Sequence, residues 1–189
     1  MIDPAFSSSK KSDDATVGLY GKHKITKNLY QLDLYADTSA PSATISATIS
    51  MVNKAKAMGY KVRFIHCESA KINRDQTQFI RDLKKELIYQ DIQIPFYTTE
   101  AKGKKEDRIK QECEPPMTAG GFFMRGDGNT EVQLKQEQQF LDFPNGRHDD
   151  IIDNVAQAYM YFRKIEKRAG ETTDRYSGVV NVNRDSELY

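Results

Sequence analysis

Acidic residues lie at three places where an α/β fold would expose them. Asp3 ends a short apolar stretch at the beginning of the chain, and Glu68 ends a longer one. Asp149 and Asp150 open a long amphipathic segment, and Asp153 follows at a spacing that puts it on their side of a helix. Sites in open α/β sheets gather at the carboxyl ends of strands. These acids therefore converge if the two strands are neighbours and the final helix packs across them.

Such a cluster has a recognisable chemistry. Carboxylates that share a cleft repel one another, so protons or cations must neutralise them. Hard divalent cations suit oxygen ligands, and Mg²⁺ in particular is held by a few carboxylates together with phosphate oxygens. Two such ions about 4 Å apart can generate an attacking hydroxide and stabilise a leaving oxygen, which is phosphodiester hydrolysis. The alternative is structural, because acids are also common in turns and at helix starts.

The composition describes one ordinary soluble globular domain. Among 189 residues, 28 Lys and Arg nearly balance 27 Asp and Glu, so any polyanion site must be local. No stretch approaches the roughly 18 consecutive apolar residues of a membrane helix, and the N-terminus lacks a secretory signal. Two distant cysteines, Cys67 and Cys113, argue against structural zinc or a disulfide framework.

The periodicity of apolar residues predicts the elements that position the acids. Strands are predicted over 15–20, 29–35, 61–68, 92–97 and 122–124. Helices are predicted over 41–58, 79–88, 104–113, 131–140 and 149–170. We expect the third helix to stop at Pro115-Pro116, and the polar fourth helix to pack only through Val132, Leu134, Phe140 and Leu141.

This order of elements predicts an α/β fold with a mixed sheet flanked by helices. Its first strands are antiparallel, and the later ones are parallel because helices connect them. Residues 1–170 form one domain in this interpretation, and residues 171–189, which have no period, form a flexible C-terminal tail. The abrupt opening Met1-Ile2-Asp3 suggests a piece of a longer protein that begins just before or inside its first strand.

Three segments together resemble the nuclease domain in the large terminase subunit of tailed bacteriophages and prophages. The segment His148–Ala156 (HDDIIDNVA), preceded by Phe-Pro-Asn-Gly at 143–146, resembles the third acidic motif of that family. Asp3-Pro4-Ala5 resembles its first motif, and the segment 64–68 (FIHCE) resembles its second. The resemblance covers about residues 1 to 165 in the family's order.

The resemblance implies a ribonuclease H-like fold whose acidic cleft holds two Mg²⁺ or Mn²⁺ ions. Asp3 and Glu68 would be the first two metal ligands and catalytic residues, and the pair Asp149 and Asp150 the third, with Asp150 slightly favoured as the direct ligand. Three further residues are candidates for supporting positions: Asp14, His148 and Asp153. His148 either contacts a phosphate or a water, or only orders the turn before the helix, and Asp153 is either a ligand or a solvated polar residue.

The resemblance also implies a biological task and its partners. The task is endonucleolytic cutting of concatemeric double-stranded viral DNA during genome packaging, in the cytoplasm of the infected bacterial host. Its partners would be double-stranded DNA, the ATPase domain of the same full-length protein, the small terminase subunit and the portal, with no membrane. This chain has no G-x-x-x-x-G-K-[ST] phosphate loop, so it does not carry the motor itself.

Basic residues in two segments are candidates for DNA phosphate contacts, which provide affinity independent of base sequence. They are Lys10, Lys11, Lys102, Lys104, Lys105 and Arg108. The alternative is a solvated helix face.

Two other functions stay open at this stage. One is another ribonuclease H-like enzyme, such as a junction resolvase or a strand transferase. The other is a noncatalytic module that docks on a packaging motor.

Overall fold

A computed structural model describes residues 1–6, 13–68, 74–100, 103–124 and 130–173, and the side chains only as far as residue 166 in the last segment. The strands are β1 (Ile2–Asp3), β2 (Ala15–Lys22), β3 (Leu29–Asp37), β4 (Ile65–Glu68), β5 (Phe96–Thr99) and β6 (Phe122–Met124). The helices are α1 (Pro41–Ala57), α2 (Arg74–Tyr89), α3 (Lys105–Thr118), α4 (Glu131–Asp142) and α5 (Asp150–Thr173).

The strands form one mixed sheet in the order β5-β4-β1-β2-β3-β6. The pairs β1/β2 and β2/β3 are antiparallel, whereas β1/β4, β4/β5 and β3/β6 are parallel. The predicted α/β class is therefore confirmed, with antiparallel first strands and parallel later ones, and the arrangement is consistent with a ribonuclease H-like fold. In the register, Ile2 lies opposite Val17 on one side and Cys67 on the other, which makes β1 a central strand.

Two apolar layers hold helices against the sheet. On one face, Ile2 and Val17 pack with Val52 of α1 and Leu83 of α2. On the other face, the apolar stripe of α5 packs against α3 and the sheet; its members are Ile152, Val155, Ala156, Tyr159 and Phe162. The helix predicted over 149–170 is thus confirmed, and the residues that it packs against the core are those that the apolar periodicity indicated. None of the helices in the described ranges is long and apolar enough to cross a membrane.

The prediction that Pro115-Pro116 ends the third helix is wrong, because α3 continues through both prolines to Thr118. The buried side chains of Ile109 and Cys113 fix α3 against α5, and Met117 beyond the prolines packs on the same cluster. Tertiary packing therefore maintains the last turn although each proline removes a backbone donor.

The prediction for the packing of α4 is partly wrong: Phe140 packs on the apolar cluster of α3 and α5, as predicted, and Val132 is half-buried. Leu134 and Leu141 are exposed, whereas Gln136 and Gln139 are buried. Gln136 donates a hydrogen bond to the side chain of Gln31 (2.7 Å), and Gln139 accepts one from the backbone N–H of Ile151 (2.9 Å). These hydrogen bonds offset part of the cost of burying the two amides, although Gln139 Nε2 has no partner among the described residues. The helix thus packs through buried amides together with Phe140.

Several predicted boundaries also differ from the structure. The strand predicted over 61–68 is paired only over Ile65–Glu68, and the strand predicted over 92–97 lies over Phe96–Thr99. Helix α5 includes residues 171–173, which the sequence assigned to the tail, and residues 174–189 of that tail lie outside the described residues. Strand ends depend on where a partner strand begins, and the sequence pattern does not contain that information.

Candidate metal centre

Two neighbouring parallel strands bring Asp3 and Glu68 together. Since Ile2 is in register with Cys67, the next residues on each strand, Asp3 and Glu68, lie side by side on the opposite face of the sheet. Helix α5 crosses this face and adds Asp153. Carboxylate oxygens of the three residues all lie within 4.8 Å of one another. The convergence of Asp3 and Glu68 expected from the sequence is therefore present.

The helix contributes Asp153 to this group, whereas Asp149 and Asp150 lie one turn earlier. Asp150 is 3% exposed and lies in a second group with Asp13 and His148, whose ligand atoms are also within 4.8 Å of one another. Asp149 lies at the rim, where its side chain is 36% exposed. Of the two residues that the sequence left unseparated, Asp150 is the one that faces inward.

The remaining candidates for supporting positions surround Asp150. The backbone N–H of Asp14 donates to the Asp150 carboxylate (3.1 Å), and the buried carboxylate of Asp14 itself contacts Lys135. The Nδ1 atom of His148 is buried without a hydrogen-bond partner among the described residues. Asp14 and His148 thus lie beside Asp150, whereas Asp153 belongs to the acidic cleft formed by Asp3, Glu68 and Asp153.

The cleft raises the pKa of its two strand carboxyls. Burial is the largest cause of the pKa of Asp3 lying well above its usual range, and the carboxylates of Glu68 and Asp153 add to it. Burial also raises the pKa of Glu68, followed by the charge of Asp153, and Arg108 opposes the rise. The site therefore favours bound protons or cations over bare negative charge.

Two basic side chains of α3 point into the cleft. Arg108 donates two hydrogen bonds to Asp153, at 2.9 and 2.6 Å, and its guanidinium lies 3.9 Å from Glu68. Lys105 bridges Asp149 (2.6 Å) and Asp150 (2.7 Å). Burial alone would lower the pKa of Lys105, but the charge of Asp150 and the bonds to Asp149 and Asp150 raise it. Both residues thus neutralise the acids, a role that the sequence analysis did not assign to them.

Of the other predicted DNA-contact residues, the structure describes Lys104. Lys104 is exposed just before the first residue of α3. Lys10, Lys11 and Lys102 lie outside the described residues.

Sequence reasoning missed two amides of α5 that hold the site. Gln157 donates to Glu68, and also to Asp153 at 3.3 Å. Asn154 donates to the hydroxyl of Thr16 (2.9 Å) and accepts from the hydroxyl of Tyr20 (2.9 Å), so it ties the helix to β2. The four-residue spacing of Asp153 and Gln157, which places both on one face, was the available signal.

The donor set fits hard divalent cations. Three convergent carboxylates, with Asp150 one turn away, supply the oxygen ligands that Mg²⁺ or Mn²⁺ prefers. The raised pKa values of Asp3 and Glu68 show how strongly the cleft disfavours unneutralised charge. The competing cations are Arg108 and Lys105, so a metal ion that enters must displace or share their contacts.

Comparison with known proteins gives no match to this chain, either among protein-family models or among curated protein sequences. The functional argument therefore depends on the site itself.

The carboxyls of Asp3 and Glu68 are expected to lower the stability of the domain in EDTA as the pH rises from about 4, the usual carboxyl pKa, toward neutrality. Folding raises the pKa of both groups, so at these two sites the native state holds more protons than the unfolded chain, and their contribution to stability decreases with increasing pH. Burial lowers the pKa of the Met1 amino group to about 5 and lowers that of His66, so these two groups contribute in the opposite direction. Urea unfolding between pH 5 and pH 8 therefore compares variants, and the slope of stability against pH should be more positive in Asp3→Asn than in the wild type. The exposed Asp37→Asn serves as a control that keeps the wild-type slope, and equal slopes for Asp3→Asn and wild type would contradict the prediction.

Proposed function

We propose that this chain is a divalent-metal-dependent DNA endonuclease domain of the large-terminase type, which cuts concatemeric double-stranded DNA during viral genome packaging. The observation that carries the proposal is the meeting of Asp3, Glu68 and Asp153 within 4.8 Å at the carboxyl ends of two adjacent parallel strands. The order of the acidic motifs along the chain, which resembles that family, supports the same assignment.

The residues divide into two ligand groups. Asp3, Glu68 and Asp153 would hold one Mg²⁺ or Mn²⁺ ion, and Asp150 with Asp13 and His148 would hold a second. Two such ions, when bound, would supply Lewis acidity for water attack on a phosphodiester and for departure of the leaving oxygen. Gln157 keeps the carboxylates of Glu68 and Asp153 oriented by donating to both.

The chain's basic residues would approach the DNA backbone. Lys104 is exposed beside the cleft-facing Lys105, so a phosphate that enters near Asp149 meets positive charge at the start of α3. Contacts of this kind are independent of base sequence and do not require a large net positive charge on the whole protein. The partners in this proposal are double-stranded DNA, the ATPase domain of the full-length protein, the small terminase subunit and the portal, in the host cytoplasm.

Supercoiled plasmid is the substrate for the direct test. The chain is expected to nick and linearise it in Mg²⁺ or Mn²⁺, to stop in EDTA, and to resume when excess metal is restored. Asp3→Ala should be inactive although folded, because it removes a metal ligand and at the same time relieves the repulsion of Asp3 by the carboxylates of Glu68 and Asp153. The matched control is Asp37→Ala, at an exposed acid of β3, which should cut as the wild type does. Full cutting by folded Asp3→Ala would overturn the proposal.

One observation favours a second candidate, a noncatalytic module that docks on the packaging motor. Arg108 and Lys105 already neutralise Asp153, Asp149 and Asp150, as in a purely structural ion-pair network. Titration calorimetry with Mn²⁺ separates the two functions. Binding of Mn²⁺ together with cutting supports the nuclease, whereas neither binding nor cutting supports the docking module.

A further inference from the structure

Lys105 lies between the two acids at the start of α5, beside the place proposed for the second ion. Its ammonium nitrogen is 2.7 Å from Oδ1 of Asp150 and 2.6 Å from Oδ1 of Asp149. The other carboxylate oxygen of Asp150, Oδ2, accepts the backbone N–H of Asp14 at 3.1 Å. Both oxygens of Asp150 therefore have partners, and an ion can bind beside Oδ1 only if the ammonium leaves it.

The same group contains a nitrogen that the ammonium does not satisfy. The Nδ1 atom of His148 is buried and has no hydrogen-bond partner among the described residues. A ligand atom of His148 lies within 4.8 Å of carboxylate oxygens of Asp13 and Asp150. Buried polar atoms normally have partners, and neutral imidazole nitrogens are common metal ligands. This nitrogen indicates that the group can hold a cation other than the ammonium of Lys105.

The two acids differ in how well they would tolerate losing the ammonium. The side chain of Asp149 is partly exposed, so water can solvate its charge. The side chain of Asp150 is buried, and a buried carboxylate without a partner strongly destabilises the fold. Lys105 can therefore leave Asp150 only when another cation replaces it there.

The ammonium of Lys105 can also be reached from solvent. The Lys105 side chain is 33% exposed, and the preceding residue, Lys104, adds a second exposed positive charge. The flexible stem of lysine lets the ammonium move while the helix stays in place. A phosphate oxygen accepts a charge-assisted hydrogen bond from an ammonium as a carboxylate does. A DNA phosphate that approaches Asp149 can therefore bind the ammonium in place of the two acids.

We propose that Lys105 couples the substrate to the second ion: its ammonium occupies the Asp150 position in the free protein, and a DNA phosphate displaces it, which makes Asp150 available to Mg²⁺ or Mn²⁺. The inference rests on the proposed function, because it takes the Asp150 group as an ion-binding site. In the exchange the ion neutralises Asp150 and repels the ammonium, while the phosphate neutralises the ammonium. Lys105 is thus a substrate-contacting residue, and DNA and the second ion bind cooperatively.

Counting bound Mn²⁺ ions tests the exchange with a readout other than cleavage. The complete chain is titrated with Mn²⁺, and electron paramagnetic resonance measures the free ion. Without DNA, Lys105→Met is expected to bind one more ion per chain than the wild type over the same concentration range, because affinity at Asp150 rises at least about tenfold. Lys105→Gln also removes the charge and should give the same result, which provides a second variant if Lys105→Met does not fold.

Lys110→Met is the matched control for these titrations. It removes an equal charge from α3, but at an exposed position where Lys110 pairs with Glu106. This variant should bind the same number of ions as the wild type, with the same affinity.

A second set of titrations contains short duplex DNA and is kept cold, so that gel electrophoresis finds the duplex intact. DNA should tighten the binding of the additional ion in every protein, since a phosphate oxygen is itself a ligand. The effect should be at least about fivefold larger in the wild type than in Lys105→Met, because only the wild type must first release the ammonium.

The outcomes separate this inference from the proposed function. Equal ion counts in the wild type and both Lys105 variants would overturn the inference, and so would equal effects of DNA on them. Two ions bound tightly by the wild type without DNA would also overturn it, while leaving the proposed nuclease in place. If none of the proteins binds Mn²⁺, with or without DNA, the proposed metal centre is wrong together with the inference.

Discussion

Changing Asp153 to Asn is expected to reduce metal-dependent plasmid cleavage by about 10³-fold or more, a loss of about 4 kcal/mol in transition-state stabilisation. Changing Asp149 to Asn should reduce it by about 10- to 100-fold, as expected of a group that lies next to the metal ligands without binding the ion. The two expected losses differ because the two side chains lie at different places in the site. Asp153 meets Asp3 and Glu68 within 4.8 Å, whereas Asp149 lies at the rim against Lys105. Single-turnover cutting of supercoiled plasmid in Mg²⁺ measures both variants.

The pairing of Asp153 with Arg108 requires a control for folding. Asn keeps the shape of Asp and one oxygen acceptor for the guanidinium, and circular dichroism monitors whether the variant stays folded. Asp3→Asn provides an independent comparison, because Asp3 enters the same ligand group from β1 rather than from α5. Equal, mild losses for the Asp153 and Asp149 variants would show that the ligand assignment is wrong.

The sequence predicts the strand part of this site better than the helix part. Asp3 and Glu68 each end an apolar run, and the carboxyl ends of adjacent parallel strands meet at one edge, so their convergence follows from local pattern and topology. On α5, by contrast, Asp149, Asp150 and Asp153 all lie near one side of the helix. Which of them points inward depends on how the helix is rotated by the packing of its apolar stripe.

The sequence pattern does not show that α3 supplies a cation to the acidic site. In the sequence, Arg108 is one charge among several in a basic segment, and its neighbour Ile109 is a single apolar residue. Only the packing of Ile109 and Cys113 against α5 turns Arg108 toward Asp153. The low helix propensity of proline also led to the wrong prediction that Pro115 and Pro116 end the helix, because the same contact between α3 and α5 maintains it. Both errors have one cause: a tertiary interface outweighs local signals.

Replacing Arg108 by Met is expected to destabilise the domain in EDTA by about 3 kcal/mol, since removing one partner of a buried ion pair leaves the other charge uncompensated. The side chains of Arg108 and Asp153 are 8% and 2% exposed, so water cannot take over the lost contacts. This loss corresponds to a fall of roughly 6–12 °C in the melting temperature for a domain of this size. Added Mn²⁺ should restore at least half of it, because the same carboxylates then bind the cation without competition.

Lys110→Met is the matched control, since Lys110 also lies on α3 and pairs with an acid, Glu106, but the two side chains are 40% and 54% exposed. Exposed pairs contribute at most about 1 kcal/mol, so this variant should melt close to the wild type and respond to Mn²⁺ as the wild type does. A larger response to Mn²⁺ in Arg108→Met than in both other proteins would place the cation at the carboxylates that Arg108 contacts. If Mn²⁺ stabilises all three equally, or none, Arg108 is a structural ion-pair partner and the cleft is not a metal site.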